Sequence, residues 1–120
     1  MVTAVSHELV QKSLIGEALD QGPLAVFVAD DDGKYLAVNA YACNLLGYER
    51  EELLALRVTD VAVNDGAAED YEEMRRNKVH VGATVLRHKD GRELPMHFRA
   101  GETTVGGMTL FIGLCWPVDA

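Results

Sequence analysis

Four histidines, two cysteines and a run of three aspartates are the groups in this 120-residue chain best equipped for chemistry. His7, His80, His88 and His97 are spaced like no zinc motif, so no metal site is expected. Asp30-Asp31-Asp32 offers adjacent carboxylates, the raw material of an acid/base pair or a calcium loop. The calcium-loop spacing is not met, and Gly33 directly behind the run makes it a solvated turn. Serines and threonines lie in no nucleophile-elbow context, and no glycine-rich phosphate loop occurs. A buried carboxylate with a raised pKa facing a tyrosine would suit a small enzyme. Asp60 with Tyr41 or Tyr71 could form such a pair, but nothing in the sequence places them together. No catalytic residue is assigned, and an enzyme is not expected.

Cys43 falls in a predicted helix and Cys115 in a predicted terminal strand. They read as buried free thiols, since two cysteines fit a disulfide-stapled scaffold poorly. The length is that of one domain with a real core. Apolar content of 48% and charged content of 25% are those of an ordinary globular protein. With 19 acidic against 11 basic residues the net charge is −8, a surface that repels phosphate backbones and argues against nucleic-acid binding. No apolar run approaches a membrane span, and residues 1–20 lack a signal peptide's basic start and apolar core. A cytoplasmic location is expected.

The elements that position these groups follow from periodicity. Ser6 to Gln21 reads as an amphipathic helix, with Val10, Leu14 and Ala18 along one seam and Ile15 and Leu19 beside it. Gly22-Pro23 stops it, leaving a flanking helix over 1–22 and a domain over 23–120. Leu24 to Ala29 and Lys34 to Val38 form a hairpin around the aspartate turn. Asn39 caps a helix carrying Tyr41, Ala42, Leu45 and Leu46, Gly47 ends it, and a second short helix follows. After an irregular stretch, Gly66 to Lys78 has helical spacing, with Ala68, Tyr71 and Met74 on one side and a Glu72–Arg76 pair on the other. Val79 to Arg87, Glu93 to Ala100 and Met108 to Trp116 read as three strands, the last two joined at Gly106-Gly107. Two strands, a block of helices, then three strands argue for an α+β domain with an antiparallel sheet.

The run Asn39 to Leu53, with Leu46-Gly47-Tyr48 and Glu51-Glu52-Leu53, resembles the signature of the PAS family of sensory domains. Arg87-His88-Lys89-Asp90-Gly91 is similar to that family's turn between two late strands. The resemblance extends from about Leu24 to Val118. It implies a PAS-like five-stranded antiparallel sheet with helices on one face and a ligand cavity between them. It also implies a role in signal transduction within a bacterial regulatory protein, through an output domain or partner that this sequence does not identify.

A two-residue turn at Asp90-Gly91 would pair Thr84 with His97, Val85 with Met96, and Arg87 with Leu94. Val85, Leu94, Met96 and Phe98 then share the helix-facing side, and Phe27 and Met74 could line the same space. The residues themselves fit a filled core as well as a pocket; the resemblance favours the pocket. The expected ligand-facing set is Phe27, Asn39, Tyr41, Met74, Val85, Met96 and Phe98, with Asn39 bonding locally or to ligand.

Some members of the family hold haem through a histidine on the helix before the third strand. That helix here has none, and His80 just beyond it reads as a half-exposed strand residue. His88 is expected opposite Glu93 and His97 outward. The light-sensing branch needs a reactive cysteine in an Asn-Cys-Arg-Phe-Leu-Gln type motif, which is missing; Cys43-Asn44 has the reverse order. Non-covalent flavin would fall to Trp116 or Asn39. Neither haem nor flavin has a specific motif. The expected function is a ligand-binding sensor that relays through a homodimer or its flanking helix. The alternatives are a ligand-free dimerisation module and, third, an enzyme of the ketosteroid-isomerase sort.

Overall fold

The computed structural model describes residues 4–63 and 79–119. Helix α1 (Ala4–Gln21) leads into strands β1 (Ala25–Ala29) and β2 (Tyr35–Val38). Three short helices follow, α2 (Ala40–Leu46), α3 (Arg50–Leu54) and α4 (Val58–Val61). Strands β3 (Val79–Arg87), β4 (Glu93–Val105) and β5 (Met108–Pro117) complete an antiparallel sheet of order β2-β1-β5-β4-β3. The α+β fold and the leading helix agree with the sequence expectation. The helix expected over Gly66 to Lys78, with Met74, lies outside the described residues.

Helices of four to seven residues do not stand alone in water, so caps and packing must hold them. Asn39 Oδ1 accepts from the Ala42 N–H at 2.9 Å, and Gly47, at φ 79°, closes α2 with its N–H on the Cys43 carbonyl. The Glu49 N–H donates to Glu52 Oε1 at 2.8 Å, starting α3. The Arg57 N–H donates to Asp60 Oδ2 at 2.9 Å, starting α4. Leu46, Leu53 and Val61, one from each helix, then bury completely against the sheet beside Met96. Removing such a side chain costs about 2–5 kcal/mol.

The β1–β2 turn is a solvated aspartate turn as expected. Asp30 Oδ1 accepts from the N–H groups of Asp32 and Lys34 at 2.9 and 3.0 Å. Its far side is held by the Val58 N–H on the Gly33 carbonyl at 2.8 Å.

The β3–β4 hairpin corrects the expected register by one residue. Thr84 faces Met96, Val85 faces Pro95, and Leu86 faces Leu94. The loop has three residues, Lys89-Asp90-Gly91, not two. The His88 N–H donates to the Arg92 carbonyl, the Gly91 N–H donates to the His88 carbonyl, and Gly91 sits at φ 96°. One extra loop residue turns every side chain of β3 over. Val85 therefore lies on the outer face, and Leu86, expected there, takes the buried inner place expected for Val85.

Helix α1 does not fold back over the sheet. Leu9, Leu14 and Ile15 are 56–61% exposed, and its ties to the domain lie at its C-terminal end. No helix among the described residues is long and apolar enough to cross a membrane.

Candidate functional site

Strand pairing sets one row of residues across the helix-facing side of the sheet: His80, Ala100, Gly113, Phe27 and Val38. Its middle is low, because Ala100 and Gly113 have almost no side chain. A Cβ built on Gly113 would meet nothing within 4 Å. Phe98 stands in the row on one side and Phe111 in the row on the other. With His80 and Phe27 at the ends, four rings surround a floor of two small residues. Val58 of α4 and Ala62 border the space from the helix side. The result is a cavity of about 120 Å³ with an almost wholly apolar lining.

The His80 imidazole lies 5.3 Å from the Phe98 ring, tilted by 45°. Tyr35 also reaches the cavity, its ring 5.3 Å from Phe27. Burial raises its phenol far above the ordinary range, with smaller contributions from Cys115 and Asp60. Burial pushes the Cys115 thiol up to about 12. Both groups are neutral at pH 7, and no carboxylate, lysine or arginine lines the cavity among the described residues.

Of the expected ligand-facing residues, Phe27 and Phe98 line the cavity. Met96 is fully buried in the packed core beside it, and Tyr41 packs at the core's edge. Val85 points away on the outer face, and Met74 is not among the described residues. Asn39 is committed to the backbone. Its Oδ1 accepts from Val26 N–H at 3.0 Å as well as Ala42 N–H, and its Nδ2 donates to the carbonyls of Leu19 at 2.6 Å and Leu24 at 3.0 Å. An amide makes four such bonds at most, so none is left for a ligand. Asp20 reinforces this joint, accepting from the Ala40 N–H at 3.0 Å and pairing with Arg50 at 2.8 Å.

His80, expected half-exposed on its strand, is partly buried with its ring on the cavity. His97 is on the outer face as expected, but opposite Ala83 and Trp116. His88 pairs with Asp90 at 3.0 Å instead of Glu93. Asp60 is exposed and caps α4, so it supplies no buried carboxylate for an isomerase-like site. Cys43 and Cys115 are buried free thiols. Desolvation raises the Cys43 pKa, opposed by the neighbouring Arg50. Sequence reasoning missed Ala100, Gly113 and Phe111, which come together only through cross-strand register.

A cavity of about 120 Å³ is well below the roughly 300–1,000 Å³ of drug-sized pockets. The residues considered for flavin are misplaced, Asn39 by its saturated amide and Trp116 by its place on the outer face.

Residues 23–115 match the PAS domain family. A PAS domain from a two-component sensor histidine kinase superposes with a TM-score of 0.81, covering 92% of this chain and 98% of that one at 22% identity. The PAS domain of an HTR-like protein from Haloarcula marismortui gives 0.79, covering 93% and 96% at 21% identity. The LOV domain of a blue-light activated histidine kinase from Erythrobacter litoralis gives 0.67, covering 80% and 96% at 21% identity. No curated protein sequence matches significantly. These superpositions show the same fold, and the family match spans most of the chain: it belongs to the PAS domain family, the sensory domains of signalling proteins.

Proposed function

We propose that this PAS domain senses a small neutral molecule held over Ala100 and Gly113, and relays its presence to α1. The observation that carries the reading is the cavity itself, an apolar hollow in the middle of an otherwise close-packed sheet face. A ligand there presses on Phe27 of β1. Asn39 holds the adjacent Val26 by two bonds, its N–H on the Val26 carbonyl and its Oδ1 under the Val26 N–H. The same side chain grips the last turn of α1 at Leu19. A ligand that fits one setting of this joint better than another shifts the population by that difference in affinity. The output is a changed α1 geometry within a homodimer.

Native mass spectrometry of freshly purified protein, with an absorption spectrum on the same sample, tests the reading. A bound small mass that disappears in Gly113→Val supports it. A protein that carries no added mass, and whose melting temperature moves with no member of a metabolite collection, counts against it.

A second reading, a ligand-free dimerisation module, draws on the exposed apolar surface. Leu14 and Ile15 on α1, and Val79 and Val81 on the outer sheet face, are all exposed.

A further inference from the structure

We propose that the cavity selects neutral single-ring aromatic molecules, of the benzene, toluene and phenol class, and that Gly113 sets their size limit. This rests on the cavity being the ligand site. Size is the first argument: about 120 Å³ approaches the roughly 150 Å³ of an engineered apolar cavity that stays dry and takes benzene. Shape is the second. His80 and Phe27 are three strands apart, so at about 4.8 Å per strand their backbones stand roughly 14 Å from each other. Between them lies a flat floor of Ala100 and Gly113, suited to a planar body and not to a branched or extended one.

The walls give the third argument. Phe27, Phe98 and Phe111 present rings on different sides, and a bound ring can meet them in offset or edge-to-face contact. Charge is the fourth. The cavity lining holds no lysine or arginine among the described residues, and the thiol and phenol beside it are neutral. A carboxylate brought in would meet only the His80 imidazole and the Thr84 and Tyr35 hydroxyls in an otherwise apolar lining, and burying a charge there costs more than burying a neutral ring. Benzoate should therefore bind more weakly than toluene or phenol although its ring would fit.

Gly113 is the position through which this can be tested. Its inner face is open, so a larger residue enters the cavity before it meets a neighbour. The methyl groups of Val58 and Leu86 border the space and serve as NMR reporters. Titration of methyl-labelled protein with toluene and phenol should shift these signals saturably, with benzoate at least tenfold weaker. Gly113→Leu should abolish the shifts, and Ala100→Val, on the neighbouring strand, should weaken them at least tenfold; amide dispersion verifies that each variant is folded. Xenon, which needs only an apolar void, separates the two layers of the inference. Xenon binding without aromatic binding overturns the aromatic class while leaving the cavity as a site. Binding of neither overturns both. Aromatic binding undiminished in both folded variants overturns the location.

Discussion

The backbone N–H of Lys89 donates to the carbonyl of Leu46 at 2.8 Å, fastening the β3–β4 turn to the end of α2. Around this bond the Lys89 ammonium reaches Glu52 Oε2 at 2.7 Å, and the His88 ring lies over Gly47. Two motifs far apart in sequence are thus the two halves of one joint.

Gly47→Ala should be costly at this joint. A Cβ there would collide with the His88 imidazole, and φ is 79°. The left-handed backbone costs a non-glycine residue about 1–2 kcal/mol, and overpacking adds about 1–3. Gly91→Ala, also at positive φ but facing open space, should lose only the first part. Urea denaturation of the two variants compares them; equal losses would show that the His88 contact contributes nothing.

Asn39→Ala should destabilise the fold by about 2–4 kcal/mol, combining a lost helix cap with orphaned backbone groups. Asn39→Asp is the sharper variant. It keeps both acceptor bonds, to Val26 and Ala42, but cannot donate to Leu19 and Leu24. Amide hydrogen exchange in α1 should then accelerate while α2 stays protected. Acceleration spread evenly through α2 would deny Asn39 a specific hold on α1.

The alkaline limb of stability should depend on Cys115. Its thiol is raised by burial from an ordinary 9 to about 12, so the unfolded chain ionises first as pH rises. Stability from this group is intact below pH 9 and is lost between about 9 and 12. Tyr35, raised in the same direction from an ordinary 10, adds to the fall from about pH 10 upward, within this window and beyond it. The urea midpoint of wild type should drop through this window, and that of Cys115→Ala should drop less steeply. Parallel curves would assign the fall elsewhere.

On the homodimer proposed above, Leu14→Asp on the exposed seam of α1 should halve the mass of the particle with the domain still folded. Sedimentation equilibrium measures this directly. Trp116, the single tryptophan, lies on the outer sheet face and reports whether that face is covered too. An unchanged mass would exclude α1 from the interface.

What was legible in the sequence was local. Asn39 as cap and Gly47 as stop are chemistry of a few neighbouring residues, and α2 forms where they place it. Asp90-Gly91 is compatible with a two- or a three-residue loop. The loop that forms also docks on Leu46 and Gly47, partners no local pattern reveals. That one-residue difference sent Val85 outward. His80 took an inner place for a second reason: the row it occupies runs through Ala100 and Gly113 to Phe27 and exists only in the assembled sheet. Asn39 shows the same limit. Its cap bond lies within one turn of helix, while its other three partners are Leu19, Leu24 and Val26, ahead of the intervening hairpin turn.

Ala25 pairs with Cys115 and Ala29 with Phe111, so the first and last strands lie side by side in the middle of the sheet. A ribosome delivers β1 before the rest of the sheet and its central partner β5 last of the five strands. Until then one edge of β1 carries unpaired N–H and C=O groups, open to a neighbouring nascent chain. The high sequence separation of this pair makes it a slow contact to form compared with the three hairpins. Translation that stops short of Phe111 would leave that edge of β1 bare and an aggregation-prone fragment.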